Sequence, residues 1–100
     1  KGGDIVTIDL RKVSSVADFF VIATGNSNVH AQAIADEVMV KLRKETQTVP
    51  WHVEGEEGQR WILIDYVDVV VHIFDSQTRA YYDIEGLYRD AVIRRIETNY

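Results

Sequence analysis

Hydrophobic positions along this chain follow two rhythms, one of period two and one of about 3.6 residues. Ile5, Val6, Ile8 and Leu10 alternate loosely with Thr7 and Asp9, the mark of a half-buried strand. Arg11 to Ser15 is a polar connector. The run DFFVIAT, Asp18 to Thr24, is almost continuously apolar and predicts a strand in a sheet interior. The rhythm then lengthens. Ala31, Ile34, Ala35, Val38 and Leu42 form a stripe at helical spacing, while Gln32, Asp36, Glu37, Lys41 and Arg43 take other faces, so a helix is predicted over Ser27 to Glu45. Gly25-Asn26-Ser27-Asn28 supplies the turn and N-cap before it. Lys41, Arg43 and Lys44 complement the dipole at its end.

Val49 to Glu54 reads as a third strand, which Pro50 confines to a strand start or a sheet edge. Glu56, Glu57 and Gly58 form a polar turn. The segment WILIDYVDVVVHIF, Trp61 to Phe74, is too long for one strand and breaks near Tyr66 to Asp68. It predicts a hairpin, Trp61 to Asp65 out and Asp68 to Phe74 back. Strand, helix, strand over Asp18 to Glu54 is a βαβ unit, which crosses over right-handed and makes strands two and three parallel. In Asp75 to Arg89, Asp75 or Ser76 can cap a short helix, and Asp83 a second turn in which Ile84, Leu87 and Tyr88 share a face. Ala91 to Tyr100 is a tail or an added strand. The expectation is a single α/β (α+β) domain over 1–100, a mixed sheet of about five strands with flanking helices.

Composition narrows the chemistry. The chain has no cysteine, which removes disulfides, thiol catalysis and thiolate zinc sites. Its three histidines are far apart and give no metal-ligand spacing. A formal net charge of -5 argues against a general phosphate-backbone binder, although Arg89, Arg94 and Arg95 cluster locally near the C-terminus. No apolar run approaches the roughly 18 residues of a membrane span.

Four groups of residues could carry function. Gly25-Asn26-Ser27 sits where an anion could bind at a helix N-terminus, but it lacks the lysine of a phosphate loop and the glycines of a dinucleotide fingerprint, and it reads as a helix cap. Asp65 and Asp68, with Asp9 and Glu54, could hold magnesium; their spacing matches a turn better. His72, inside an apolar strand, would need a nucleophile or a carboxylate in reach to act as a base. It reads instead as a strand histidine satisfied by a neighbour's carbonyl or carboxylate. His30 and His52 read as unpaired surface or edge residues. Trp61, Tyr66, Tyr81, Tyr82 and Tyr88 are either core filling or, with their polar handles, an interface hot spot.

The motifs ADFFVIATGNS, QAIADEV, VEG, WILIDYVDVVVHIF and RAYYDIEGL occur in that order between Asp4 and Ala91. In this order they closely resemble the ribosomal silencing factor, or Iojap-like, family. The resemblance implies a small, usually dimeric cytoplasmic α/β protein with nucleotidyltransferase-like topology, no cofactor and no catalysis. Such a protein binds the large ribosomal subunit through ribosomal protein L-fourteen and blocks joining of the small subunit when nutrients run short. Organelle relatives are associated with large-subunit assembly. Motif matches and the aromatic argument together place partner contact near Trp61, Tyr66, Asp68, His72, Arg79, Tyr82 and Leu87.

The chain departs from the family pattern at several points. The glycine usual in the hairpin turn is Val67, the usual Leu-Trp is Leu87-Tyr88, and the family's helix before the first strand is expected to be missing. Two alternatives remain open from the sequence. One is a large-subunit assembly factor. The other is a nucleotidyltransferase-like enzyme using Glu54, Asp65 and Asp68, with nucleotide on the Gly25 to Ser27 turn; His52-Val53-Glu54 is its nearest approach to an Asp-x-Asp pair.

Overall fold

The computed structural model describes residues 3–96, and the last part of the Ala91 to Tyr100 segment lies outside them. Six strands form one sheet in the order β3-β4-β5-β2-β1-β6. They are β1 (Gly3–Asp9), β2 (Phe19–Gly25), β3 (His52–Glu54), β4 (Trp61–Asp65), β5 (Val69–Asp75) and β6 (Val92–Ile96). The helices are α1 (Asn28–Thr46), α2 (Ser76–Tyr82) and α3 (Ile84–Leu87).

The five-strand expectation falls one short. Val92 to Ile96 is not a tail but a strand antiparallel to β1, with Ile93 opposite Ile8 and Arg95 opposite Val6. Arg94 and Arg95 are successive residues of this strand, so they project to opposite faces and do not make one basic footprint. On an edge strand, such charges discourage pairing with another chain.

Strands β2 and β3 do run in the same direction, as a helical crossover requires, but they are not neighbours. β4 and β5 lie between them, and it is β5 that pairs with β2 in parallel, from Phe19–Val69 to Gly25–Asp75. The reason is burial. β5 is apolar on both faces and needs strands on both sides, whereas β3 is three residues long and mostly exposed, suited to an edge. β3 starts at His52 rather than Val49 because Pro50 has no amide to offer a ladder.

The two faces of the sheet are covered differently. On one, Ala31, Ile34 and Ala35 of α1 pack over Ile62, Ile64, Val71 and Ile73. On the other, Val6, Ile8, Leu10, Phe20, Ile22, Val70 and Phe74 lie under Ile84 of α3, with Trp61, Leu63 and Tyr88 half-buried around them. The Ser27 hydroxyl accepts from the His30 amide at 3.1 Å and caps α1. Asp75 caps α2 through the Thr78 amide at 2.8 Å.

The hairpin breaks at Tyr66 to Asp68, where the sequence predicts. The Asp68 amide donates to the Tyr66 carbonyl at 3.0 Å, which closes a three-residue turn around Val67. Asp65 Oδ1 accepts from the Val67 amide at 2.7 Å. Val67 has φ 75°, a region that costs a β-branched residue about 1–3 kcal/mol. Its side chain is 59% exposed, so burial offers little to compensate. Val67→Gly is therefore expected to raise the unfolding free energy by about 1 kcal/mol after the entropic cost of glycine. Urea denaturation checks it, and an unchanged or lower midpoint would contradict the strain at this turn.

Candidate functional site

An aromatic face is built on the α2–α3 side of the sheet, at the end where β5 runs into α2. Trp61 opens β4 and lies opposite Phe74 in the antiparallel register, with His72 one step back on the same face. The Trp61 and Phe74 rings are 4.9 Å apart, and Tyr82 of α2 packs on Trp61 at 4.7 Å. Tyr81 meets Tyr82 edge-on at 5.0 Å and stands 82% exposed. Beneath them His72 contacts Phe20 edge-on at 4.5 Å, and Phe20 in turn meets Tyr88 at 5.5 Å. Edge-to-face and offset pairs of this kind add stability beyond their buried area.

His72 is a structural residue. It is buried, and its Nδ1 accepts the Trp61 indole N–H at 3.0 Å, so its partner is an indole rather than a carbonyl or carboxylate. Acceptance at Nδ1 places the proton of the neutral ring on Nε2, which finds no hydrogen-bond partner among the described residues. Burial holds the imidazole neutral and pushes its pKa down to about 4. The same bond orients Trp61: its indole N–H is turned inward, and what remains outward is ring.

Gly55 fixes Trp61 from the other side. It adopts φ 87°, and a Cβ there would run into the Trp61 carbonyl oxygen, so only glycine lets the β3–β4 loop lie against this strand. Trp61 consequently borders two clefts. One of about 450 Å³ is lined by Arg60, Gln77, Thr78, Tyr81 and Tyr82, and one of about 200 Å³ by Glu54, Gly55 and Leu63.

The residues expected to mark partner contact do not all come together. Trp61, His72 and Tyr82 come together, with only the first and last presenting surface. Leu87 stands 71% exposed on α3, in the same layer, while Ile84 beside it turns inward. Arg79 of α2 is 8% exposed and ion-paired with Glu85. Tyr66 and Asp68 sit at the opposite end of the hairpin, past the last ladder pair, Asp65 with Val70, so that Tyr66 is roughly 17 Å along the strand from Trp61. Tyr66 packs on the α1 side with its hydroxyl buried, and burial raises its pKa. The Asp68 carbonyl accepts from the amides of Asp18 and Phe19 at 2.8 and 3.1 Å and ties the turn to β2. Sequence spacing could not separate these groups, because the two ends of a hairpin are adjacent in the chain only at the turn. Tyr81, the most exposed aromatic among the described residues, was legible as part of the C-terminal aromatic group.

The remaining chemical candidates are occupied locally. Gly25 is required because a Cβ would come within 2.6 Å of the Ala31 amide nitrogen, and the Asn26 amide donates to His30 Nδ1 at 2.8 Å. His30 is thus not unpaired, and neither is His52, which lies 2.8 Å from Glu54. Asp65 holds the hairpin turn. Among the described residues, no three His, Cys, Asp or Glu side chains are arranged to hold a metal ion.

The neutral state of His72 has a measurable consequence. The unfolded chain takes up a proton near pH 6.5, and the fold resists it until about 4. This contribution to stability is complete above about pH 6.5 and is lost as pH falls toward 4, to a limit of about 3 kcal/mol. Urea midpoints at pH 7, 5 and 4 are expected to fall more steeply for the native chain than for His72→Gln. Parallel slopes would mean that His72 does not titrate as its burial requires.

Comparison with known proteins gives a consistent result. The family model described as "Ribosomal silencing factor during starvation" matches residues 1–99. A ribosomal silencing factor from Halalkalibacterium halodurans is 42% identical over 97% of this chain and 82% of its own length. A crystal structure of a Chromobacterium violaceum protein, 43% identical, superimposes with a TM-score of 0.84 over 89% of this chain and 73% of that one. A mouse protein named for mitochondrial assembly of the ribosomal large subunit is 30% identical over 85% of this chain and 38% of its own length.

Proposed function

Because this chain belongs to the ribosomal silencing factor family, we propose that it lowers translation by docking on the large ribosomal subunit and barring the small one. The partner surface is ribosomal protein L-fourteen, and the protein works as a steric plug, without catalysis. The observation that carries this reading is the aromatic face of Trp61, Tyr81 and Tyr82. Trp61 has its one donor satisfied internally and keeps open ring surface between two clefts. Exposed aromatics on a rigid support supply large contact area at small entropic cost, as interface hot spots do. Leu87 extends the apolar area, and Arg60 and Glu54 at the cleft edges are placed to act as a charged rim that sets register and on-rate.

A second reading is favoured by the name of the mouse relative: the same contact held during large-subunit assembly, without silencing. Sedimentation with purified large and small subunits tells the two apart. Comigration with the large subunit and fewer joined ribosomes is the expected outcome; comigration with joining unaffected would turn the function to assembly. Trp61→Ala is expected to weaken large-subunit binding by about 1 kcal/mol or more, and undiminished pelleting would refute the aromatic face. Calorimetric titration with magnesium and nucleoside triphosphates is expected to give no heat, and saturable heat would revive a nucleotidyltransferase-like activity.

A further inference from the structure

Helix α2 carries the exposed rings Tyr81 and Tyr82 and α3 the exposed Leu87 beside them, yet neither helix can hold its own shape. They are seven and four residues long, far below the length at which a helix persists alone in water. Asp83 joins them in a left-handed conformation, φ 47°, as C-cap of the first and N-cap of the second. What sets their pose must therefore come from side chains that tie them to each other and to the sheet.

Arg79 does this. Its guanidinium lies 2.8 Å from Glu85 Oε2 through Nη2 and 3.4 Å from Oε1 through Nε, and its Nη1 donates to the Thr24 hydroxyl at 2.6 Å. One planar fork thus joins α2, α3 and the end of β2. Arg79 also stands three residues before Tyr82, on the same side of α2, so the fork sits one helical turn from the ring that covers Trp61. At 8% exposure, Arg79 has little surface to offer a partner. We propose that Arg79 is a positioning residue of the docking face: with Glu85 and Thr24 it clamps α2 and α3 so that Tyr82 lies on Trp61, and it does not itself touch the ribosome. This rests on the docking role proposed for that face.

The test uses the full chain carrying Trp51→Phe, which leaves Trp61 as its single tryptophan. Arg79→Lys keeps the charge and loses the planar fork. Acrylamide quenching of Trp61, measured without ribosomes, is expected to rise toward the level of Tyr82→Ala. Affinity for the large subunit is expected to fall about tenfold, with no further loss when Arg79→Lys is added to Tyr82→Ala. Glu85→Gln leaves Arg79 in place and is expected to move both readouts the same way, which covers the case of an Arg79 variant that does not fold. Unchanged quenching in Arg79→Lys and Glu85→Gln would overturn the clamp. So would additive losses with Tyr82→Ala, or tighter binding by Glu85→Gln, since both belong to an arginine that contacts its partner. Raised quenching with affinity untouched in every variant, Tyr82→Ala included, would uphold the clamp and overturn the docking role of the face.

Discussion

β5 is buried on both faces along its interior, and the rest of the molecule is arranged to meet that demand. One side of the strand needs a parallel neighbour in β2 and the other an antiparallel one in β4. One face needs α1, and the other needs the short α2 and α3. The position of His72 follows from this. In a strand without a wet face, every second residue points into the aromatic side, and a polar ring placed there must find a donor or stay unsatisfied. The Trp61 indole, delivered by the β4 register, is that donor. A bond made to solve a burial problem also decides which edge of Trp61 is left to face outward.

The two faces differ in how they are stabilised. α1 is long, capped at both ends and held by an apolar stripe, so it would keep its place under many substitutions. The α2–α3 side relies on fewer interactions of a more directional kind: one buried ion pair, one shared cap at Asp83, and rings in edge or tilted contact. Removing one partner of a buried pair leaves an uncompensated charge, which is far more costly than losing an exposed one. The side that presents the aromatic surface is therefore the side where single polar changes have the largest structural effect.

The acidic balance of the chain is compatible with a ribosomal partner because the surface that fits docking is aromatic rather than charged. A protein of net charge -5 gains little from phosphate contacts, and of the arginines that cluster in its sequence Arg94 and Arg95 are split between the two faces of an edge strand, while Arg89 lies in the turn before it. Apolar contact with a protein surface, framed by a few charges at the rim, suits this composition better.

Much of this was written in the chain itself. The alternation in β1, the long stripe of α1, the break at Tyr66 to Asp68 and the caps at Ser27 and Asp75 are local patterns, and local patterns are what periodicity reports. The family was legible for the same reason, from motifs in order. The neighbours of each strand were not legible. Periodicity says that a residue is buried but not against what, so β5 rather than β3 beside β2, and β6 beside β1, were decided only when every apolar face had to be covered at once. The same holds for the candidate site. Trp61, His72, Tyr82 and Arg79 could be named from the sequence, but their different roles as platform, hidden support, cover and clamp depend on burial and register, which exist only in the folded sheet.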